Sequence, residues 1–243
     1  MTTNHGFGSR VGGVLCLDFV NTVRGRISNR LERGARDHAD AIVDERLTSY
    51  DALLGWGGFA DVLTTRQMKL LGAEAERRPA RSAAVLRRAI TVREAMYRLF
   101  KAVIARWPPP ADDLAVINRE LQIARAHERL IASPHGIVVD YGDPATALDG
   151  VLWPIARSAR ELLTSSHLER VGQCPGDECG WLFLDTSRSG RRQWCKMKDC
   201  GNVAKVRRFR EKARDDRKAL VAKPRRVSTI SSRSVSTSIT LER

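Results

Sequence analysis

The sequence is short of several things, and each shortage excludes something. No stretch of 18 apolar residues occurs, so a membrane-spanning helix is not expected. Met1 to Gly13 lacks the apolar core of a secretory signal peptide, so a cytoplasmic location is expected. No repeat period is visible, which argues against a solenoid. His5, His127, His135 and His167 show no ligand spacing, and Asp37-His38-Ala39-Asp40 has no second cluster and reads as a solvated loop. The sequence has no G-x-S-x-G, H-E-x-x-H, phosphate-binding loop or G-x-G-x-x-G. Nothing joins a nucleophile to a base, so an enzyme is not expected.

Acidic residues are scarce in one place only. The 243 residues carry a formal net charge of +14. Residues 1–187 are nearly balanced, with 24 Lys+Arg against 23 Asp+Glu. Residues 188–226 hold 16 Lys+Arg against 4 Asp+Glu. A near-neutral body joined to one basic block reads as a regulatory or scaffolding domain followed by a polyanion-binding module. The apolar share of 42% is too high for a wholly disordered chain, and the length accommodates one medium domain and a small one.

Four of the five cysteines form two pairs, Cys174/Cys179 and Cys195/Cys200, each C-x4-C, separated by fifteen residues. In a chain without a secretion signal such pairs suit one structural Zn²⁺ held by four thiolates, with no open position for catalysis. Pro175 and Gly176 permit a tight turn. Trp181-Leu182-Phe183-Leu184 reads as a strand, and Gln193-Trp194 as the lead into a second. The order knuckle, hairpin, knuckle, helix predicts a small treble-clef-like finger. Trp181, Phe183 and Trp194 read as its core. Zinc with four thiolates carries −2, so nearby Arg191, Arg192, Lys196, Lys198 and Lys205 are partly explained by charge balance.

Asn202 is expected to cap a helix over Val203 to Val221, which ends before Pro224. Val206, Phe209, Ala213 and Leu220 share one face of it. Arg207, Arg210, Arg214 and Arg217 form a stripe beside that face, and Lys205, Arg208 and Lys212 fill another arc. Arg191, Arg192, Lys205, Arg207, Arg208, Arg210 and Arg214 are the candidate nucleic-acid contacts, arginine being suited to phosphate and guanine.

In the body, residues 12–23 read as a strand whose polar positions, Asp18, Asn21 and Thr22, are candidates for a small-molecule pocket. The competing reading has Asn21 and Thr22 satisfying backbone groups at the strand end. Cys16 reads as core. Ala41-Ile42-Val43 and Gly136 to Tyr141 look strand-like. Helices are expected over Tyr50 to Leu63, Ser82 to Trp107, Asp112 to about Arg129 and Thr146 to Leu163, the last kinked at Pro154. The fold class is therefore α+β: a mostly helical N-terminal domain with a small sheet, followed by the zinc finger.

The run Cys174-PGDE-Cys179-GWLFLDTSRSGRRQW-Cys195-KMKD-Cys200-GNVAK resembles the CGNR zinc finger family, although the arginine of the Cys-Gly-Asn-Arg tetrad is Val203 here. Leu15 to Thr22, Tyr50 to Trp56 and Leu152 to Ala156 are similar to blocks of the ABATE domain that precedes this finger in the family. The resemblance implies stress-induced transcription regulators with a DNA-binding finger. It implies an ABATE-like domain over 10–165, a finger with its basic helix over 170–222, and a disordered Ser/Arg-rich tail over 223–243. DNA is the expected partner, with a homodimer and a small-molecule signal as further expectations. The alternative is a zinc-stapled module that binds RNA or protein without reading DNA sequence.

Overall fold

The computed structural model describes residues 7–27 and 41–222. The expectations for residues 37–40 and for the tail over 223–243 lie outside the described residues. One compact unit ends at Asn202 and a second begins at Val203.

The spine of the first unit is α4 (Pro79–Ala105), about 40 Å long at 1.5 Å per residue. Pro79 sits at its first position, where a missing N–H costs nothing. The chain leaves it at Arg106 in the left-handed conformation, φ 56°. Val85, Ala89, Val92, Met96 and Leu99 are buried, as their spacing predicts, and Val103 is half-buried. Around this spine stand α1 (Leu15–Val20), α2 (Tyr50–Phe59), α3 (Thr65–Arg77), α5 (Ala111–Arg125) and α6 (Leu152–Leu163). Phe19 and Trp56 meet in the core with ring centroids 4.9 Å apart. Each such buried side chain contributes about 1.5–3 kcal/mol by leaving water.

Three antiparallel pairs complete the described structure: β1 (Arg26–Ile27) with β2 (Ala41–Ile42), β3 (Arg129–Ser133) with β4 (Gly136–Asp140), and β5 (Val171–Gln173) with β6 (Leu182–Leu184). The protein is thus mostly helical, with small two-stranded sheets.

Several local expectations are corrected. Residues 12–23 do not form a strand: their centre is α1. Cys16, Leu17, Phe19 and Val20 are all buried, so the wall is apolar on both parities and a period of two carries no information. The Asp18 carboxylate also closes the turn by accepting the Gly12 N–H at 2.8 Å. Pro154 does not kink α6, because the helix begins at Leu152 and Pro154 lies in its first turn. The expected earlier length is not helical: a short 3-10 turn, Pro144–Thr146, ends where the helix is expected to begin, and residues 147–151 form a bend and turns. The helix α3, unforeseen, carries a reciprocal capping box between Thr64 and Gln67.

The first unit is continuous into the cysteine region. Val171, Leu182 and Leu184 belong to the same apolar core as Phe19, Met96 and Trp56. Asn21 fastens the two regions: its side-chain amide donates to the Leu182 carbonyl at 2.8 Å and accepts the Leu182 N–H at 2.9 Å.

Candidate metal centre and basic helix

The first cysteine pair sits on the turn between β5 and β6. The Cys174 N–H donates to the Trp181 carbonyl at 2.8 Å, extending the strand pairing by one rung. The Cys179 N–H donates to the Gly176 carbonyl at 3.0 Å, folding the knuckle. A Cβ on Gly176 would lie 3.0 Å from the Cys179 Cβ and 3.3 Å from the Cys200 sulfur, so a side chain there would crowd the cluster. Gly180 turns the chain at φ +58°, a conformation that suits glycine. Of the second pair, Cys195 precedes the turn Met197–Gly201 and Cys200 lies within it, where the Gly201 N–H returns to the Lys196 carbonyl. The expected strand at Gln193-Trp194 is not formed; β6 pairs instead with β5, ahead of the first cysteine.

The four sulfurs all lie within 4.8 Å of one another. Cys179 and Cys195 approach to 3.5 Å, and Cys195 and Cys200 to 3.6 Å. Zinc about 2.3 Å from each of four tetrahedral sulfurs sets neighbouring sulfurs about 3.8 Å apart. The donor set and its spacing therefore fit one structural zinc ion, and four thiolates leave no position open for catalysis. The metal-free thiols disfavour carrying charge together. The Cys174 thiol is pushed far down, first by hydrogen bonds from Cys179 and Cys195. Cys179 and Cys195 are pushed up by those same bonds, and Cys200 first by burial. A divalent cation removes this mutual repulsion.

Phe183 is buried beside the cluster, with Trp181 and Trp194 half-buried around it. The Trp181 indole donates to the Val23 carbonyl at 2.9 Å. These rings are the centre's own packing. Arg192 is part of it as well. Its guanidinium lies 4.4 Å over the Phe183 ring and donates to the carbonyls of Val11, Leu184, Trp194 and Cys195. Arg191, by contrast, is exposed.

A buried ion network supports the knuckle from the body, a role that residue spacing does not reveal. Arg93, 0% exposed, grips Glu45 with two bonds of 2.6 Å and reaches Glu94 at 2.8 Å. Arg26 grips Glu94 through bonds of 2.7 and 2.8 Å and lies 3.8 Å over the Tyr97 ring. The backbone N–H of Arg26 donates to the Cys179 carbonyl, and Gln173 donates to the Tyr97 hydroxyl at 2.8 Å. Burial pushes Glu45 and Glu94 up, but Arg93 and Arg26 outweigh it and hold both carboxyls below the usual range.

The second unit carries α7 (Asn202–Ala222), which opens at the last residue of the first unit. Asn202 does not cap with its oxygen; its amide nitrogen donates to the Lys198 carbonyl at 3.1 Å. Lys205, Arg207, Arg208, Arg210 and Arg214 are exposed, and Arg207 pairs with Glu211 at 3.8 Å. Phe209 is 75% exposed and Val206 48%.

The structure separates the three polar residues of the N-terminal segment. Asn21 spends its amide on Leu182. Thr22 donates its hydroxyl to the Phe19 carbonyl at 2.8 Å. Asp18 alone lines a cleft. Cys16 is buried in the core, and burial pushes its thiol up to about 12.

No helix among the described residues is long and apolar enough to cross a membrane. Comparison with curated proteins gives no match. Residues 170–213 match the CGNR zinc finger, and residues 13–166 match the ABATE family, described as "Putative stress-induced transcription regulator". The chain belongs to the ABATE family and carries a CGNR zinc finger after its ABATE domain.

Proposed function

We propose that this protein regulates transcription by binding duplex DNA through the exposed arginines of α7, with the zinc centre fixing the backbone that leads into that helix. The ABATE domain over 10–165 is its regulatory part, and 170–222 its DNA-binding part. The single observation that carries the reading is the arginine stripe. Arg207, Arg210 and Arg214 recur at helical spacing on an exposed helix, with Lys205 and Arg208 on the adjoining arc. A helix of this kind presents planar, charge-assisted donors to phosphates, and to guanine edges where it enters the major groove. Arg191 is an additional contact. Arg192 is left out, because its donors are engaged by carbonyls of the metal centre.

Selection of random duplex DNA by the zinc-loaded protein tests this at about 150 mM salt, where nonspecific phosphate binding is weakened. An enriched motif that disappears on zinc removal supports a sequence-reading regulator, and a two-fold motif supports a homodimer. Binding without enrichment, fading with salt alike for every duplex, overturns sequence reading. An equal or greater affinity for single-stranded RNA favours the alternative module.

A further inference from the structure

The surface of α7 is divided into lengthwise stripes. Successive residues of a helix step about 100° around its axis. Val206, Phe209 and Ala213 therefore share one stripe, and all three are exposed, Phe209 at 75%. About a quarter turn to one side run Arg207, Arg210 and Arg214, and about a quarter turn to the other run Lys205, Arg208 and Lys212. The acidic Glu211 and Asp215 stand on the opposite face, where Ala204 is the one buried residue among those described from Asn202 to Arg217. Asp216, about two turns beyond Phe209, lies at the margin of the apolar stripe and closes its uncharged run.

A phenylalanine left so exposed contributes little to folding. What can cover the stripe is limited by its flanks, since an apolar centre lies between two cationic margins. A second copy of the helix would set one cationic margin against another on both sides. A membrane surface asks for a large apolar face, and this stripe offers one bulky ring and one valine. Duplex DNA matches it throughout. The major groove is about 12 Å wide and receives a helix about 10–12 Å across. A row of phosphates runs along each side of the groove, and the apolar 5-methyl groups of thymine stand on its floor.

We infer that the stripe Val206, Phe209 and Ala213 recognises thymine methyl groups in the major groove, while the cationic margins hold one phosphate row each. The inference rests on the proposed DNA binding by α7 and adds what the centre of that helix recognises. From Val206 to Ala213 the helix advances about 10 Å, the length of about three base pairs. The recognised feature is therefore a short run of A·T pairs.

The test compares the affinity of the full-length, zinc-loaded protein for two short duplexes at the same salt concentration. One is built of alternating A·T pairs. The other carries uracil in place of every thymine, which removes only the 5-methyl groups. Wild type should bind the uracil duplex about fourfold more weakly for each methyl group in contact, the value of one buried methylene. Phe209→Ala, at an exposed position and with a better helix former, should reduce that preference by about fourfold or more. Its salt dependence should remain that of wild type, because the ring neutralises no phosphate. A duplex of alternating G·C pairs should gain affinity for wild type when its cytosines are 5-methylated. Equal affinity for the thymine and uracil duplexes, or a thymine preference that Phe209→Ala keeps in full, overturns the inference and leaves DNA binding by α7 standing. Failure to bind either duplex, even at low salt, overturns both. A dimer that Phe209→Ala dissociates, or binding to phosphatidylserine vesicles that it abolishes, with no dependence on thymine methyl groups, means that something else covers the stripe and also overturns the inference.

Discussion

The protein has two populations of arginine, and they do opposite things. In the first unit Arg26, Arg93 and Arg192 are buried or half-buried, and every one grips carboxylates, carbonyls or a ring. In the second unit Arg208, Arg210 and Arg214 stand exposed on α7. The first group holds the knuckle, β5 and β6 against the body; the second presents its donors to solvent and to whatever binds there. Net charge counts both alike, yet arginines whose donors are already engaged within the fold have few left for a polyanion.

The largest effect expected from breaking this division is at the metal centre. Cys174→Ser, or a strong chelator, should lower the melting temperature by on the order of 10 °C or more, since structural zinc contributes folding free energy outright. The loss should reach the body, because Val171, Leu182 and Leu184 share its core. Circular dichroism melts with and without zinc read this directly. A body that melts unchanged would mean the finger is only loosely attached.

Next in size is the network. Arg93→Ala should cost about 3 kcal/mol in denaturant unfolding, because it strands the carboxylate of Glu45 and leaves Glu94 to Arg26 alone. Its pH dependence has a definite sign. Both glutamates have depressed values in the folded protein, so their stabilisation is present above the unfolded value of about 4.3 and is lost as pH falls through the lower folded values. Wild type should hold its stability from pH 7 to about 5 and lose it below. That acid loss should be smaller in Arg93→Ala, since Glu45 loses the partner that lowers it while Glu94 keeps Arg26.

Smaller again, Arg192→Ala should cost about 1–3 kcal/mol by leaving carbonyls around Cys195 without their donor. Arg192→Lys should not fully restore it, since one ammonium group cannot reproduce the planar fork. Arg208→Ala sits at the other end, within about 0.5 kcal/mol of wild-type stability, as expected of an exposed helix position. If both variants unfolded alike, the division between the two groups would fail.

Much of this is legible in the sequence. Paired cysteines announce a metal centre because ligand spacing is a local property. The buried face of α4 is readable because its apolar residues keep helical period over several turns. The strand expected at α1 fails for a physical cause: six residues buried almost all round show no periodicity to choose between helix and strand. The helix α3 escapes the periodicity reading although Thr64-x-x-Gln67 carries a capping-box pattern. The engagement of Arg192 is not readable at all, since its acceptors are carbonyls brought together by folding, Val11 lying far away in the chain. The same holds for the cleft, where Asp18 and Trp153 meet only in the folded domain.

The most direct test of the central claim is the salt dependence of duplex DNA binding, compared between wild type and the combined Arg207→Ala, Arg210→Ala, Arg214→Ala variant, both zinc-loaded. Each phosphate left without its arginine should make the negative slope of log affinity against log salt shallower by about 0.9, so the variant's dependence should flatten by close to 3 units and its binding should be far weaker. An unchanged slope and affinity would show that the exposed arginines of α7 do not touch DNA, and the proposed function would be wrong.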